Sequence, residues 1–244
     1  MSRQTQRVAL ARAYVLHQQP YRDSSLIVEI VAREHGRLTV FARAARGPKS
    51  RFAALQAFQQ LLLSWSGRGE AAQLTGAEIA AAPQPLPPAR LMSAFYLNEL
   101  LMKLTVRHDP HPELFDCYDA ALVALREHSE VEPLLRRFEK RLLELIGYGL
   151  QLRAEADGGR PVQPEACYSF RGGYGVMAAA AGTADAVSGR VLLALAAEEP
   201  LTHEADMRQA RTVMRAALDH CLEGRELRTR TVAQSMHRRE YSLG

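Results

Sequence analysis

Four prolines fall within six positions, at Pro83, Pro85, Pro87 and Pro88, and the periodicity of the chain changes across them. Proline fixes φ and lacks an amide donor, so this spacing cannot continue a strand ladder and favours an extended connection. Before it, short apolar runs are bounded by turn residues. After it, apolar residues recur at helical spacing. The pattern predicts an α+β chain: a β domain at residues 1–82, then a mostly helical domain at residues 83–244. At 244 residues the chain is long enough to bury a sizeable core.

Five runs in the first part read as strands: Val8–Leu16, Leu26–Ala32, Leu38–Ala42, Phe58–Trp65 and Ala72–Ile79. His17–Asp23 contains Pro20 and reads as a turn. Glu34–His35–Gly36 is a hairpin signal with a glycine available for positive φ, and Ser66–Gly69 is a Gly-rich turn. Five short strands in so few residues suit a small closed barrel of the oligonucleotide-binding (OB) type. An SH3-like barrel also has five strands, so the count alone leaves the strand order open.

In the second part Ala89–Val106 is apolar almost all round and is expected to be a buried central helix. Glu113–Glu127 carries one apolar side. Pro133 marks the start of the next helix and Gly147–Tyr148–Gly149 its end. Residues 153–183 are rich in Gly and lack helical period, so they read as an irregular insert with one hairpin around Tyr168–Val176. Helix is expected again at Ala186–Ala197, Ala205–Leu222 and Val232–Arg239.

Charge is unevenly spread. Up to Ala80 there are eleven Lys/Arg against five Asp/Glu; from Ala81 to Gly224, fifteen against twenty; in the last twenty residues, five against two. Both ends are basic and the middle is acidic. The densest basic stretch is Pro20–Arg51, where Arg22, Arg33, Arg37, Arg43, Arg46, Lys49 and Arg51 alternate with strand-like runs. A β surface with that much fixed positive charge repels itself unless an anion sits on it, and a nucleic-acid backbone fits best. Arg37 and Arg43 are expected on exposed barrel positions, with Arg46, Lys49 and Arg51 on the loop that follows. Tyr14, Tyr21, Phe41 and Trp65 are candidate base-stacking platforms, with the barrel core as the competing place for Phe41 and Trp65.

Other clusters point less clearly to chemistry. Arg136 and Lys140 lie one helical turn apart and could grip an acidic peptide, but Glu132, Glu139 and Glu144 could equally neutralise them on the helix surface. His108 and His111 flank Asp109–Pro110 in a turn, with Asp109 as a candidate helix cap. Arg171–Gly175 lacks the Lys-Ser/Thr of a phosphate-binding loop. No nucleophile, dyad or metal motif emerges, which predicts a binding protein, not an enzyme. Three widely spaced cysteines argue against a disulfide framework and make the cytoplasm the expected compartment; neither a signal peptide nor a membrane span is expected.

Several segments together resemble the RecO family of bacterial recombination mediators. They are PYRDSSLIVE at Pro20–Glu29, REHGR at Arg33–Arg37, ARAAR at Ala42–Arg46, LQAF at Leu55–Phe58 and WSGRGE at Trp65–Glu70. YLNELL at Tyr96–Leu101, LRRFE at Leu135–Glu139, LIGYG at Leu145–Gly149 and GRELRTR at Gly224–Arg230 complete the set. The resemblance spans essentially the whole chain, in order. It implies an OB barrel on a helical domain and a nucleoid-associated DNA-repair protein. Such a protein would bind single- and double-stranded DNA, anneal complementary strands, and act with RecR to load RecA onto strands coated by single-stranded-DNA-binding protein (SSB). It also implies that the acidic, Phe-ended SSB tail binds the helical domain, with Arg136, Arg137 and Lys140 as candidates. Some relatives carry a four-cysteine zinc element after the Gly-Tyr-Gly turn; here only Cys167 lies in that region, so no zinc or other cofactor is expected. The family's Gly-Ala-Arg stands here as Ala44–Ala45–Arg46. Two other readings stay open: a metal-dependent nuclease or hydrolase using Asp109, Glu113 and Asp116, and an RNA-binding OB protein.

Overall fold

The computed structural model describes residues 7–46, 50–67, 72–82, 85–127 and 130–241. Five strands, β1 (Arg7–Tyr21), β2 (Ser25–Ala32), β3 (Gly36–Ala42), β4 (Leu61–Ser66) and β5 (Ala72–Ile79), form a closed barrel in the order β1-β2-β3-β5-β4. β4 pairs back onto β1, and β3 meets β5 in parallel. That order is the OB arrangement and settles the choice the strand count left open.

The barrel core follows from simple alternation. On β4, Leu61, Leu63 and Trp65 point inward and Leu62, Ser64 and Ser66 outward, so one face is apolar. β1 departs from this rule, with Ala13, Tyr14, Val15 and Leu16 all buried. Ala13 and Val15 join the barrel core. Tyr14 instead meets Phe115 and Tyr118 of a helix, while the Leu16 carbonyl accepts a 2.9 Å hydrogen bond from the Asn98 side chain. A strand covered on both faces reads as a continuous apolar run. Two register breaks, between Val8 and Ala11 and between Val15 and His17, bend this long strand so that it pairs with β4 at one end and β2 at the other.

The β2–β3 hairpin turns at Gly36, whose φ is +68°. A Cβ there would lie 2.3 Å from the Asp109 carbonyl oxygen, so only glycine fits.

After Pro88–Arg90, a single 3₁₀ turn, come α1 (Leu91–Leu104), α2 (Pro112–Arg126) and α3 (Val131–Leu145). α1 is less enclosed than its composition suggests: Phe95 stays 45% exposed and packs edge-on against Phe58. Asp109 does not cap α2. His111 holds the N-cap position, Pro112 supplies the first turn, and the Asp109 carboxylate bonds the His111 ring at 3.0 Å instead.

The insert holds a three-stranded sheet ordered β7-β6-β8, from β6 (Cys167–Arg171), β7 (Gly175–Ala178) and β8 (Val187–Ser188). β8 takes residues expected in the following helix. Ser188 stays extended, accepts from the Val191 amide as an N-cap, and so delays α4 to Gly189–Ala197. α5 (Glu204–Leu222) and α6 (Arg228–Tyr241) complete the chain.

Two compact units result, one from residues 1–127 with 227–244 and the other from residues 128–226. α1, α2 and α6 therefore belong with the barrel. By formal charge the first set of residues carries nineteen Lys/Arg against twelve Asp/Glu, and the second twelve against fifteen. Both basic ends of the chain fall in one unit.

Candidate nucleic-acid interface and a second cationic pocket

The outer face of β2 and β3 divides into a covered end and an open end. Outward residues pair across it as Ile27 with Phe41, Glu29 with Thr39 and Val31 with Arg37. At the covered end Glu29 is buried and fully engaged. Thr39 donates to it at 2.7 Å, Arg37 at 3.3 Å, and Arg107 also pairs with it. Arg37 further donates to the Thr105 carbonyl at 2.8 Å. Burial holds the Arg37 pKa below its ordinary value, with Glu29 only partly compensating. Arg37 is therefore not on an exposed barrel position; its guanidinium knits the barrel to the connection after α1. Arg33 is also committed. It donates to both Asp116 oxygens, at 2.8 and 2.7 Å, and to Glu34 at 2.7 Å. Those bonds raise the Arg33 pKa and depress that of Asp116.

The open end is different. The β1–β2 turn carries Tyr21 and Arg22, and the segment after β3 carries Arg43 and Arg46. The two are tied together by the Arg46 amide, which donates to the Ser24 carbonyl at 3.0 Å. The Arg46 guanidinium reaches the Arg22 and Asp23 carbonyls at 3.4 Å, contacts that leave its charge uncompensated. Arg22 lies 5.2 Å above the Tyr21 ring, and Tyr21 meets Phe41 edge-on at 5.7 Å. Arg51 is exposed as well, stacked 4.8 Å from the ring of Phe52. Among the described residues Arg22, Arg43, Arg46 and Arg51 have no carboxylate at ion-pair distance. Lys49 lies outside the described residues.

Of the four aromatic candidates, only Tyr21 and Phe41 remain accessible. Trp65 is 4% exposed and belongs to the barrel core; Tyr14 is 1% exposed, with its hydroxyl on Asp119. Burial and the Asp119 contact raise the Tyr14 pKa, so it is a neutral structural phenol.

Ala44 adopts φ +53°, the left-handed region that glycine enters at no steric cost. That is why a glycine suits this position, and why alanine here still permits the same turn at the cost of some strain.

A second cationic site lies in the unit of residues 128–226. Pro133, Arg136, Arg137 and Lys140 of α3 line a cavity of about 40 Å³ with Leu195, Glu198, Glu199, Pro200, Leu201 and Met207. Arg136 pairs with the buried Glu139 at 2.7 Å, yet its Nε is buried without a hydrogen-bond partner. Lys140 donates to Glu144 at 2.7 Å and to Glu198 at 3.0 Å. Burial alone would lower the Lys140 pKa, but the two carboxylates outweigh it and raise it. Glu132 turns away and pairs with Arg211. Arg137 is exposed and, among the described residues, has no carboxylate partner. The lysine and two arginines were visible in the sequence. The wall from Leu195 to Met207 was not: it lies some sixty residues away, and only the helix end at Glu198–Pro200 hinted at it.

Among the described residues no three His, Cys, Asp or Glu side chains come together to hold a metal ion, the carboxylates considered for hydrolysis included. Asp116 spends both oxygens on Arg33, and Asp109 pairs with His111.

Two sequence models of one family cover nearly the whole chain: "Recombination protein O N terminal" at residues 7–83 and "Recombination protein O C terminal" at residues 87–231. The chain belongs to the RecO family. Among its relatives is a DNA repair protein RecO of Methylococcus capsulatus, 46% identical over 230 residues, covering 94% of each chain. That of Alkalilimnicola ehrlichii is 43% identical, over 95% of this chain and 93% of its own. That of Coxiella burnetii is 39% identical, over 93% and 98%. The RecO resemblance read from the segments Pro20–Glu29 to Gly224–Arg230 is thus borne out, as is the OB barrel it implied. Among the described residues no helix is long and apolar enough to cross a membrane.

Proposed function

We propose that this chain is a DNA repair protein and a recombination mediator. In this reading it binds single- and double-stranded DNA, anneals complementary strands and, with RecR, helps load RecA onto SSB-coated single strands. It is a binding protein and not an enzyme, working at the nucleoid in the cytoplasm. We assign DNA contact to the barrel in residues 1–82 and partner contact to residues 83–244.

The observation that carries this reading is the open end of the β2–β3 face. Arg22 stacks on Tyr21 beside Phe41, Arg46 reaches back to the Arg22 carbonyl, and Arg43 is exposed on the same segment after β3, with no carboxylate paired to any of the three among the described residues. Such a cluster tracks phosphates while an aromatic pair offers a face to unstacked bases. Arg51, exposed and free of any carboxylate partner among the described residues, would extend the track, while Lys49 is retained as a DNA-binding candidate for its charge alone. Arg33 and Arg37 leave the set, because their guanidinium groups serve internal carboxylates. Annealing then needs no bond chemistry: neutralising the phosphates of two strands lowers their repulsion, and base pairing proceeds.

The pocket beside α3 supports the partner assignment. Arg137, with no carboxylate partner among the described residues, the half-satisfied Arg136 and the apolar Leu195, Leu201 and Met207 suit an acidic peptide with a terminal aromatic residue, such as an SSB tail.

The test is charge reversal at Arg43→Glu with Arg46→Glu, followed by fluorescence anisotropy with labelled single-stranded DNA across a salt series. Affinity should fall by at least tenfold, and the slope of log affinity against log salt should shrink by about 0.7 per arginine lost. The melting temperature should hold, since neither side chain serves the core. Normal DNA affinity in a folded double variant would place the interface elsewhere. RNA in competition with single-stranded DNA checks the ligand.

A further inference from the structure

We propose that Glu198 is a built-in competitor of the α3 pocket: its carboxylate occupies, on Lys140, the position that a carboxylate of an incoming acidic peptide must take. Binding then proceeds by exchange of one carboxylate for another. This rests on the reading of the pocket as a peptide site.

Lys140 is nearly enclosed, its side chain 7% exposed, and it already donates to two carboxylates. A lysine that already donates to two carboxylates has its charge compensated, so an acidic ligand gains little from it until one carboxylate leaves. Glu144 is the poorer candidate to leave. It sits one turn along the same helix, at 2.7 Å, with its side chain 28% exposed. Glu198 comes from a different element, at 3.0 Å, with its side chain 40% exposed on the rim of the cavity.

The backbone at Glu198 points the same way. It closes α4 with φ +57° and ψ +28°, the left-handed helix cap that glycine normally fills. A glutamate there carries a backbone strain that glycine would not. The ion pair to Lys140 offsets that strain, and losing the pair frees a residue already close to a helix end.

Size gives a second reason for exchange. The cavity holds about 40 Å³, whereas a benzene ring occupies a pocket of roughly 150 Å³. An aromatic side chain gains room if the rim from Glu198 to Leu201 yields, and the Lys140–Glu198 bond is one tie between that rim and α3.

The experiment measures the affinity of a fluorescein-labelled acidic peptide ending in Phe for the full chain and for Glu198→Gln, Glu198→Gly and Arg137→Ala. Glu198→Gln removes the charge and keeps the shape; Glu198→Gly removes the carboxylate and relieves the backbone, so at least one variant stays folded. Both are expected to bind the peptide about two- to fivefold more tightly at low salt, the range an ion pair of this exposure commands. The gain should shrink at high salt. Unchanged or weaker binding in both Glu198 variants, with binding lost in Arg137→Ala, would overturn the competitor while leaving the pocket as the peptide site. Equal binding by the wild type and Arg137→Ala would remove the peptide site itself, and the proposal with it.

Discussion

Ala44 shows how a residue other than glycine can hold a left-handed turn. Its φ of +53° places the Cβ against the following carbonyl, yet the turn still delivers Arg46 to the Arg22 carbonyl. Replacing it with glycine removes that clash and adds a little unfolded-state entropy. Ala44→Gly should therefore raise stability by about 0.5–1 kcal/mol, read as a higher melting temperature at unchanged DNA affinity. A lower melting temperature would mean that the turn is held by something other than local sterics. At the same scale, the seven basic residues of Pro20–Arg51 were legible as a set but not as individuals. Arg37 and Arg43 look alike in sequence, each near a strand end; one is 13% exposed in its side chain and bound to Glu29, the other open to solvent.

At the scale of elements, α6 is a helix whose start is fixed by a side chain distant in sequence. The chain returns from residues 128–226 to the first unit at Leu227, and Glu99 of α1 receives it. One Glu99 oxygen accepts from the Arg228 amide at 2.8 Å; the other accepts from the Thr229 amide at 2.9 Å and its hydroxyl at 2.7 Å. A carboxylate over the first amides of a helix satisfies orphan donors and complements the helix dipole. Burial alone would raise the Glu99 pKa, but these bonds, with Lys103 nearby, outweigh it and hold the group below the ordinary carboxylate range. A depressed pKa contributes stability that is present in full above the ordinary carboxylate range and fades as pH falls through the folded value. Glu99→Ala should cost about 1–2 kcal/mol at neutral pH. Its helical signal by circular dichroism should also depend less on acid pH than that of the wild type. Equal acid sensitivity in the two proteins would exclude Glu99 as the clasp. α6 itself could be expected from its composition, though starting at Val232; the earlier start at Arg228 follows from a cap some 130 residues away.

For the whole molecule, the decisive fact is how folding sorts charge. Residues 1–127 with 227–244 hold nineteen basic against twelve acidic side chains, and residues 128–226 hold twelve against fifteen. The arginines at the open end of the β2–β3 face belong to the first of these units and the α3 pocket to the second, so each ligand should act on its own set of segments. Hydrogen exchange tests this directly. Single-stranded DNA should slow exchange around Tyr21–Ile27 and Phe41–Arg46 and leave the pocket unprotected. An acidic Phe-ended peptide should protect Pro133–Lys140 and Leu195–Met207 instead. With DNA at one hundred times its dissociation constant, linkage should stabilise the protein by about 2.7 kcal/mol. Protection of α3 by DNA alone would contradict the division of labour.

The type of most strands and helices, the change of architecture at Pro83–Pro88 and the basic first third were determined by the sequence alone, whereas the run of β1 through Pro20 to Tyr21 and the short β8 at Val187–Ser188 were not. Alternation at period two, recurrence near 3.6 and the conformational limits of proline are local properties that need no distant partner. Which arginines stay free, where α6 begins and what walls the α3 pocket were decided only by tertiary structure. Those outcomes depend on pairings between residues that sequence order keeps far apart: Arg33 with Asp116 across 83 positions, Lys140 with Glu198 across 58, Glu99 with Thr229 across 130. A charge in a sequence states what a side chain could hold, and the fold, by bringing a carboxylate within 3 Å or leaving none near, decides whether it is already holding something.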